Sequence, residues 1–389
     1  MKRNAVLVGL VVALSALTGA HAVERRIAAV DPGLLQASAP VVVVAHFRDG
    51  IAADIDSLAG TTVLARFESV AAVALRAAPA AVRALAERDD VSFVEADHAI
   101  AFDLDTATTG SRAKWVWDPP EGTSPVVVDG RVVDGSGVGI AIVDSGVDGL
   151  HPDFRVPGKL GGNWIVTQQG LIEADHTGVI DPHGTHVAGI AAGNGVTSGG
   201  DYKGAAPGAT LYGFATNTHS LVTASVAFQW ILDHGASLRP PINVLNNSWH
   251  CGSDACRSMN PDRLHIKLAT KLAEQGVVIS WAAGNRSGDG ITSRVNAEAL
   301  NPTPGIISVA NYNDDERGAR NKCIVGSSSR GAASDPTTWP DLAAPGWEIS
   351  STWAAGVNIN APDSQPQPRV SGPLPVVGQN NYRRMSGTS

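Results

Sequence analysis

Gly139-Ile140-Ala141-Ile142-Val143-Asp144-Ser145-Gly146-Val147-Asp148 is an apolar run that ends in a carboxylate and then turns away at Gly146. Its length and lack of polar interruption predict a buried strand over 138–143. Outward from it, short β-rich runs (242–245, 277–283, 306–310) alternate with helical stretches (183–192, 225–234, 262–274). That alternation predicts an α/β fold, a mostly parallel sheet with helices on both faces, whose active site lies at the carboxyl ends of the strands. The glycines of Gly135-Ser136-Gly137-Val138-Gly139 precede the strand, whereas a dinucleotide fingerprint follows one and opens a helix, so a nucleotide site is not expected here.

The whole chain has 389 residues, 43% of them hydrophobic and 17% charged, which is enough apolar material for a packed core. Forty-two glycines and 23 prolines imply many turns. The formal charge of -8 shows no basic tail, so nucleic acid is not an expected partner. Lys2 and Arg3 precede an apolar segment over 5–17 and the small-residue site Ala20-His21-Ala22, the pattern of a secretory signal peptide over 1–22. The segment is too short to span a bilayer, and export without membrane attachment after signal removal is the expectation. Residues 23–108 read as a small α+β unit, with strands over 41–44, 62–67, 70–75 and 91–95 and a helix over 80–88. A polar, unpatterned linker at 103–110 separates it from a larger unit, 109–389. Residues 362–375 read as a proline-enriched surface loop. Cys251 and Cys256 are close enough to bridge a small loop, which leaves Cys323 without a mate.

Four places carry chemistry. Asp144 at a strand end can orient a base, or simply form a turn. In Asp181-Pro182-His183-Gly184-Thr185-His186, His183 sits at a helix entrance with small residues behind it and is the candidate base. His186 reads as a packed core histidine; the two histidines lack the glutamate of a zinc-binding H-E-x-x-H helix, and no third ligand is evident. Ala282-Ala283-Gly284-Asn285 brings an amide to a strand tip, where it can donate to a developing oxyanion, form a plain turn, or accept a glycan as Asn285-Arg286-Ser287. In Met385-Ser386-Gly387-Thr388-Ser389, Gly387 lets backbone approach a substrate and Ser389 would start a helix.

Asp-Ser-Gly, His-Gly-Thr-His-Val-Ala-Gly, Ala-Ala-Gly-Asn and Ser-Gly-Thr-Ser, in that order, resemble the subtilisin-like serine proteases, the subtilase family, whose Asp…His…Ser order is that of subtilisin itself. Gly204 to Ala209, Asn246-Asn247-Ser248-Trp249 and Asp341 to Gly346 are similar to further landmarks of that family. The resemblance spans 139–389, and 41–97 resembles, more weakly, the inhibitory propeptide that precedes many such enzymes. It implies Ser389 as nucleophile, His183 as general base and acid, Asp144 as the group that fixes the imidazole tautomer, and Asn285 with the Ser389 N–H as oxyanion donors.

The resemblance further implies that Asn247, Ser248 and Trp249 form an extended strand pairing with substrate backbone, and that Ala282, Ala283 and Gly284 line the pocket for the residue before the scissile bond. Small side chains there predict tolerance of large hydrophobic residues. The expected partners are protein or peptide substrates and the chain's own propeptide, an intramolecular inhibitor cut by Ser389 within 103–112. No cofactor is expected for the chemistry. A structural calcium ion is compatible with the family, but the loop 194–201 offers no carboxylate-rich pattern to assign to it. Subtilases continue past the serine with a long helix, whereas this sequence stops at Ser389. The expectation is therefore that the 389-residue polypeptide is itself inactive, its terminal carboxylate adding negative charge where an oxyanion forms, while an extended form cleaves peptides. A secreted non-catalytic scaffold derived from a protease is the alternative from another class. An esterase is disfavoured because no G-x-S-x-G elbow surrounds Ser389.

Overall fold

The computed structural model describes residues 28–98, 100–102, 111–178, 181–216, 220–253, 256–314, 323–355 and 381–389. The expected signal peptide at 1–22, the expected linker at 103–110 and the proline-enriched stretch at 362–375 lie outside the described residues.

The first unit is a five-stranded sheet. Its strands are β1 (Ala29–Val30), β2 (Val41–Phe47), β3 (Thr61–Phe67), β4 (Ala72–Ala77) and β5 (Val91–Ala96), in the order β1-β5-β2-β4-β3, with helix α1 (Pro79–Ala86) on one face. Sequence reading starts β4 two residues early, because Val70 ends a tight turn and Ala71 takes a left-handed φ of 49° before the strand resumes. Pro79 opens α1 at a position where its missing N–H costs nothing. The alternating side chains of the sheet serve two masters. Val43, Val73 and Leu75 pack under α1, whereas Val44, Phe67, Ala72 and Ala74 face the larger unit and join its core.

A short strand, β6 (Ile100–Phe102), leads from this unit toward the larger one. There, β7 (Gly139–Asp144), β8 (Leu160–Thr167), β9 (Gly170–Glu173), β10 (Thr210–Ala215), β11 (Ile242–Asn247), β13 (Val278–Ala282), β14 (Ile306–Tyr312) and β15 (Leu342–Pro345) form one eight-stranded sheet. Its order is β9-β8-β10-β7-β11-β13-β14-β15, parallel except for the hairpin strand β9. β12 (Trp249–Cys251) follows β11 outside that sheet. On one side of β7 the chain runs out to β8 and β9 and returns to β10 beside β7, then crosses to the other side at β11. Asp144 therefore sits at the carboxyl end of the strand about which the order reverses, the place where open α/β sheets put their sites.

Every residue of β7 is buried, and its two-residue period explains why both faces must be covered. Ile140 and Ile142 pack with Val187 and Ala188 of α2 (His183–Ala192) on one face. Ala141 and Val143 belong to the core beneath α3 (Leu221–His234) and α4 (Leu264–Glu274) on the other. The chain ends on an antiparallel pair, β16 (Ile349–Thr352) with β17 (Tyr382–Met385).

The first unit supplies carboxylates to the N-termini of α3 and α4, where the unsatisfied N–H groups and the helix dipole favour negative charge. Asp97 accepts from Ser220 Oγ at 2.7 Å and from Val222 N at 3.2 Å. Glu95 Oε2 accepts from Leu264 N at 2.8 Å. The adjacent Arg263, 4% exposed, forms a two-pronged pair with Asp31 at 2.9 and 3.1 Å. Burial pushes the Asp97 carboxyl up despite these donors. Among the described residues no helix is long and apolar enough to cross a membrane.

Candidate active site

The end of β7 and the start of α2 are stitched together through Asp144 and Ser145 on one side and residues 181–184 on the other. Asp144 Oδ1 lies 2.6 Å from His183 Nδ1 and accepts from Ser145 N at 2.7 Å. The Ser145 hydroxyl accepts from Gly184 N at 2.9 Å and donates to Asp181 O at 3.1 Å, and Asp181 Oδ1 accepts from His183 N at 2.7 Å. A side chain at Gly184 would meet Gly146 O and Asp144 Oδ1, so only glycine lets the helix start approach the strand end this closely. Gly146, at φ 120°, makes the sharp turn that the motif requires. His183 is 2% exposed and Asp144 fully buried, so their bond forms away from bulk solvent and holds the imidazole with Nε2 directed away from the carboxylate.

His186, one turn further along α2, is a packed core histidine. It is fully buried, and its Nε2 lies 3.1 Å from Arg383 O in β17. Burial pushes its imidazole down to about 3; the Arg383 carbonyl opposes that shift and the neighbouring His183 adds to it. Between pH 6.5 and that value the unfolded chain takes up a proton that the folded chain refuses. Folding stability therefore falls as pH drops through this window, at up to about 1.4 kcal/mol per pH unit, and is unaffected above it. Thermal unfolding followed from about pH 7 to pH 4 should show this slope, and His186→Asn should flatten it.

The chain end carries Ser389. Thr388 N donates to Asn285 Oδ1 at 2.9 Å, and Gly284 N donates to Thr388 Oγ1 at 3.0 Å, so the strand tip after β13 and the Ser-Gly-Thr-Ser turn are joined by two bonds. Because Asn285 Oδ1 is the accepting end, its Nδ2 is the end that faces elsewhere as a donor. Ser389 itself is bonded to Ser248: Ser248 Oγ donates to Ser389 O at 3.0 Å, and Ser389 Oγ donates to Ser248 O at 3.3 Å. Gly387 N donates to Gly346 O at 3.0 Å, which seats the Ala-Ala-Pro-Gly landmark beneath the serine turn.

Ala282 and Ala283 are buried at the end of β13, and Asn296 Nδ2 holds Ala282 O at 2.8 Å. Gly284 takes φ 106°, and a side chain there would strike Asn296 and Ser329. Asn247 is the last residue of β11 and fully buried. Of the three residues expected to pair with peptide backbone, only Trp249 lies in the ladder with β6, which continues through His250 to Cys251: Trp249 opposes Phe102, His250 opposes Ala101 and Cys251 opposes Ile100. Sequence reading did not single out His250 or Cys251 for this edge. The paired cysteines were its one available signal, since Cys251 and Cys256 form a disulfide and Cys323 is free and exposed. Among the described residues, no three His, Cys, Asp or Glu side chains cluster as a metal site. Asp153, beside the loop 194–201, has its carboxylate occupied by Gly195 N, Val196 N and the Tyr382 hydroxyl.

A parallel sheet that receives Asp144 and His183 at its reversal point, with Ser389 and Asn285 meeting at a neighbouring strand tip, has the architecture of a subtilisin-like serine protease. Residues 135–389 match the subtilase family, and the chain belongs to it. It is 28% identical over 341 residues to serine protease AprX of Bacillus subtilis, covering 83% of this chain and 68% of that protein. Subtilisin E of the same organism is 28% identical over 309 residues, covering 78% of this chain and 69% of the other. Fervidolysin from Fervidobacterium pennivorans, described as a keratinolytic enzyme related to subtilisin, superposes with a TM-score of 0.62 at 19% identity, over 93% of this chain and 54% of that one, and so shares its fold.

Proposed function

We propose that the full-length protein is a secreted serine endopeptidase made as a self-processing zymogen. Ser389 attacks the peptide carbonyl, His183 takes the serine proton and later gives it to the leaving amine, and Asp144 holds the imidazole in the required tautomer and stabilises its cationic form. Asn285 and the Ser389 N–H stabilise the tetrahedral oxyanion, and water then releases the acyl-enzyme. The observation that carries this reading is the 2.6 Å Asp144–His183 bond, buried at the carboxyl end of the central strand.

The zymogen reading rests on the ladder between β6 and Trp249–Cys251. Residues 23–108 act as the propeptide, whose last strand occupies the edge at which an extended peptide substrate would pair. Cleavage within 103–112 separates it from the catalytic unit, 109–389, and the signal peptide 1–22 directs export. Ala282, Ala283 and Gly284 form the floor for the residue before the scissile bond, and Asn247 and Ser248 support the peptide strand from the end of β11. Calcium takes no part in the chemistry, and a structural calcium site has no assigned ligands.

A fluorophosphonate probe tests the reading directly. The full-length protein, freed of residues 23–108, should be labelled at Ser389 and should turn over amide as well as ester substrates. Absence of labelling would favour a non-catalytic scaffold, and ester turnover without amide turnover would favour an esterase.

A further inference from the structure

We infer that Glu298 is a positioning residue of the peptide-binding strand, and that preference for extended over single-residue substrates depends on it. The inference rests on the proposed use of Trp249–Cys251 as the peptide edge.

Successive residues of a strand direct their N–H and C=O groups to opposite edges. On the inner edge of β12, Trp281 Nε1 donates to Trp249 O at 2.9 Å and Cys251 N donates to Glu298 Oε1 at 3.0 Å. Residues 249 and 251 thus spend these groups inward. The outward N–H and C=O belong to His250, which opposes Ala101 in the ladder. Were the Cys251 N–H released from Glu298, one of these two inward hydrogen bonds would be lost, and the strand could twist at its Cys251 end and turn the His250 groups out of register with a bound peptide.

Glu298 is built for this task and has no part in the proposed triad. It lies on the short turn Glu298–Leu300 between β13 and β14 and is 2% exposed. His265 in α4, equally buried, places Nε2 at 3.6 Å from the same oxygen that holds Cys251. Burial alone would raise the Glu298 carboxyl, but the adjacent His265 imidazole and the Cys251 N–H together hold it below the usual range. A charge-assisted bond of this kind is about twice as strong as one between neutral groups. The Cys251–Cys256 disulfide ties down the same end of the strand.

The test compares Glu298→Gln with the parent in the full-length protein, using a single-residue ester and a peptide extending four or more residues before the scissile bond. The expected result is a drop of about tenfold in the ratio of kcat/KM for the extended over the short substrate, carried mainly by KM of the peptide. Equal losses on both substrates, or an unchanged ratio, would overturn the inference. Backbone amide exchange over 249–251 gives a readout that needs no turnover. Faster exchange in Glu298→Gln with the Tm held within a few degrees is expected, and unchanged protection would overturn the inference even in a protein that hydrolyses nothing. A Cys251→Ser/Cys256→Ser pair should move the substrate ratio in the same direction. A parent that resists fluorophosphonate labelling would refute the endopeptidase reading while leaving the exchange result to decide the role of Glu298.

Discussion

Ser389→Ala in the full-length protein is expected to lower peptide hydrolysis by about 10⁶-fold, the scale known for the nucleophile of subtilisin itself. A serine hydroxyl is a weak nucleophile at neutral pH, and the neighbouring Ser248 Oγ is engaged with Ser389 O at 3.0 Å and cannot take its place. The same variant should accumulate as an uncut chain carrying residues 23–108. The measurement is the mass of the purified protein together with steady-state turnover. A variant that matures when purified alone would rule out self-processing, and one that keeps turnover above about 1% would rule out Ser389 as nucleophile. The unprocessed form should also be stable, because Arg263 and the N-termini of α3 and α4 are satisfied by Asp31, Glu95 and Asp97 of the first unit. Removal of that unit leaves buried positive ends to be solvated, so the first unit is expected to act as a folding partner of the larger one.

Several elements were legible because their signals are local. The helix 183–192 was read with its true ends, since Pro182 stands before it and Gly193 after it. The strand 139–144 was legible from an apolar run bounded by glycine and a charged end. β8 gave no such signal: Gly161 and Gly162 interrupt it at a register shift, and its buried Asn163 is satisfied by Val147 O, Asp175 O and the Thr177 hydroxyl, contacts made by distant chain. β17 exposes Arg383 and Arg384 and buries Tyr382, so its pairing with β16 is invisible to periodicity. The start of α3 was placed four residues late, at 225, because its cap joins Ser220 to Asp97, more than a hundred residues away.

The site divides the same way. Asp144 and His183 each looked like an ordinary turn or helix entrance, and only resemblance to a family joined them; the 2.6 Å bond shows the convergence. Glu298 had no signal at all, since nothing around a glutamate in a short turn predicts burial against a histidine from another helix.

Asp144→Asn is the change that isolates the tautomer. Its amide keeps the size of the carboxylate, but Oδ1 takes both the Ser145 N–H at 2.7 Å and His183 Nδ1 at 2.6 Å, so either the amide nitrogen or the neutral amide oxygen must fill that shared position. The amide nitrogen has no lone pair to offer His183 Nδ1, and the oxygen carries no charge to stabilise the imidazolium that forms when Ser389 loses its proton. Turnover should fall by about 10⁴-fold at neutral pH, the scale found when this carboxylate is neutralised in serine proteases. KM should change far less, because Asp144 is fully buried and lies beneath the imidazole rather than along the peptide edge at Trp249–Cys251. The diagnostic is the pH profile: the loss should shrink in alkali, where hydroxide can take the serine proton without an imidazolium being formed. A uniform loss at every pH, accompanied by a lowered Tm, would mean that Asp144 acts only as the stitch between β7 and α2.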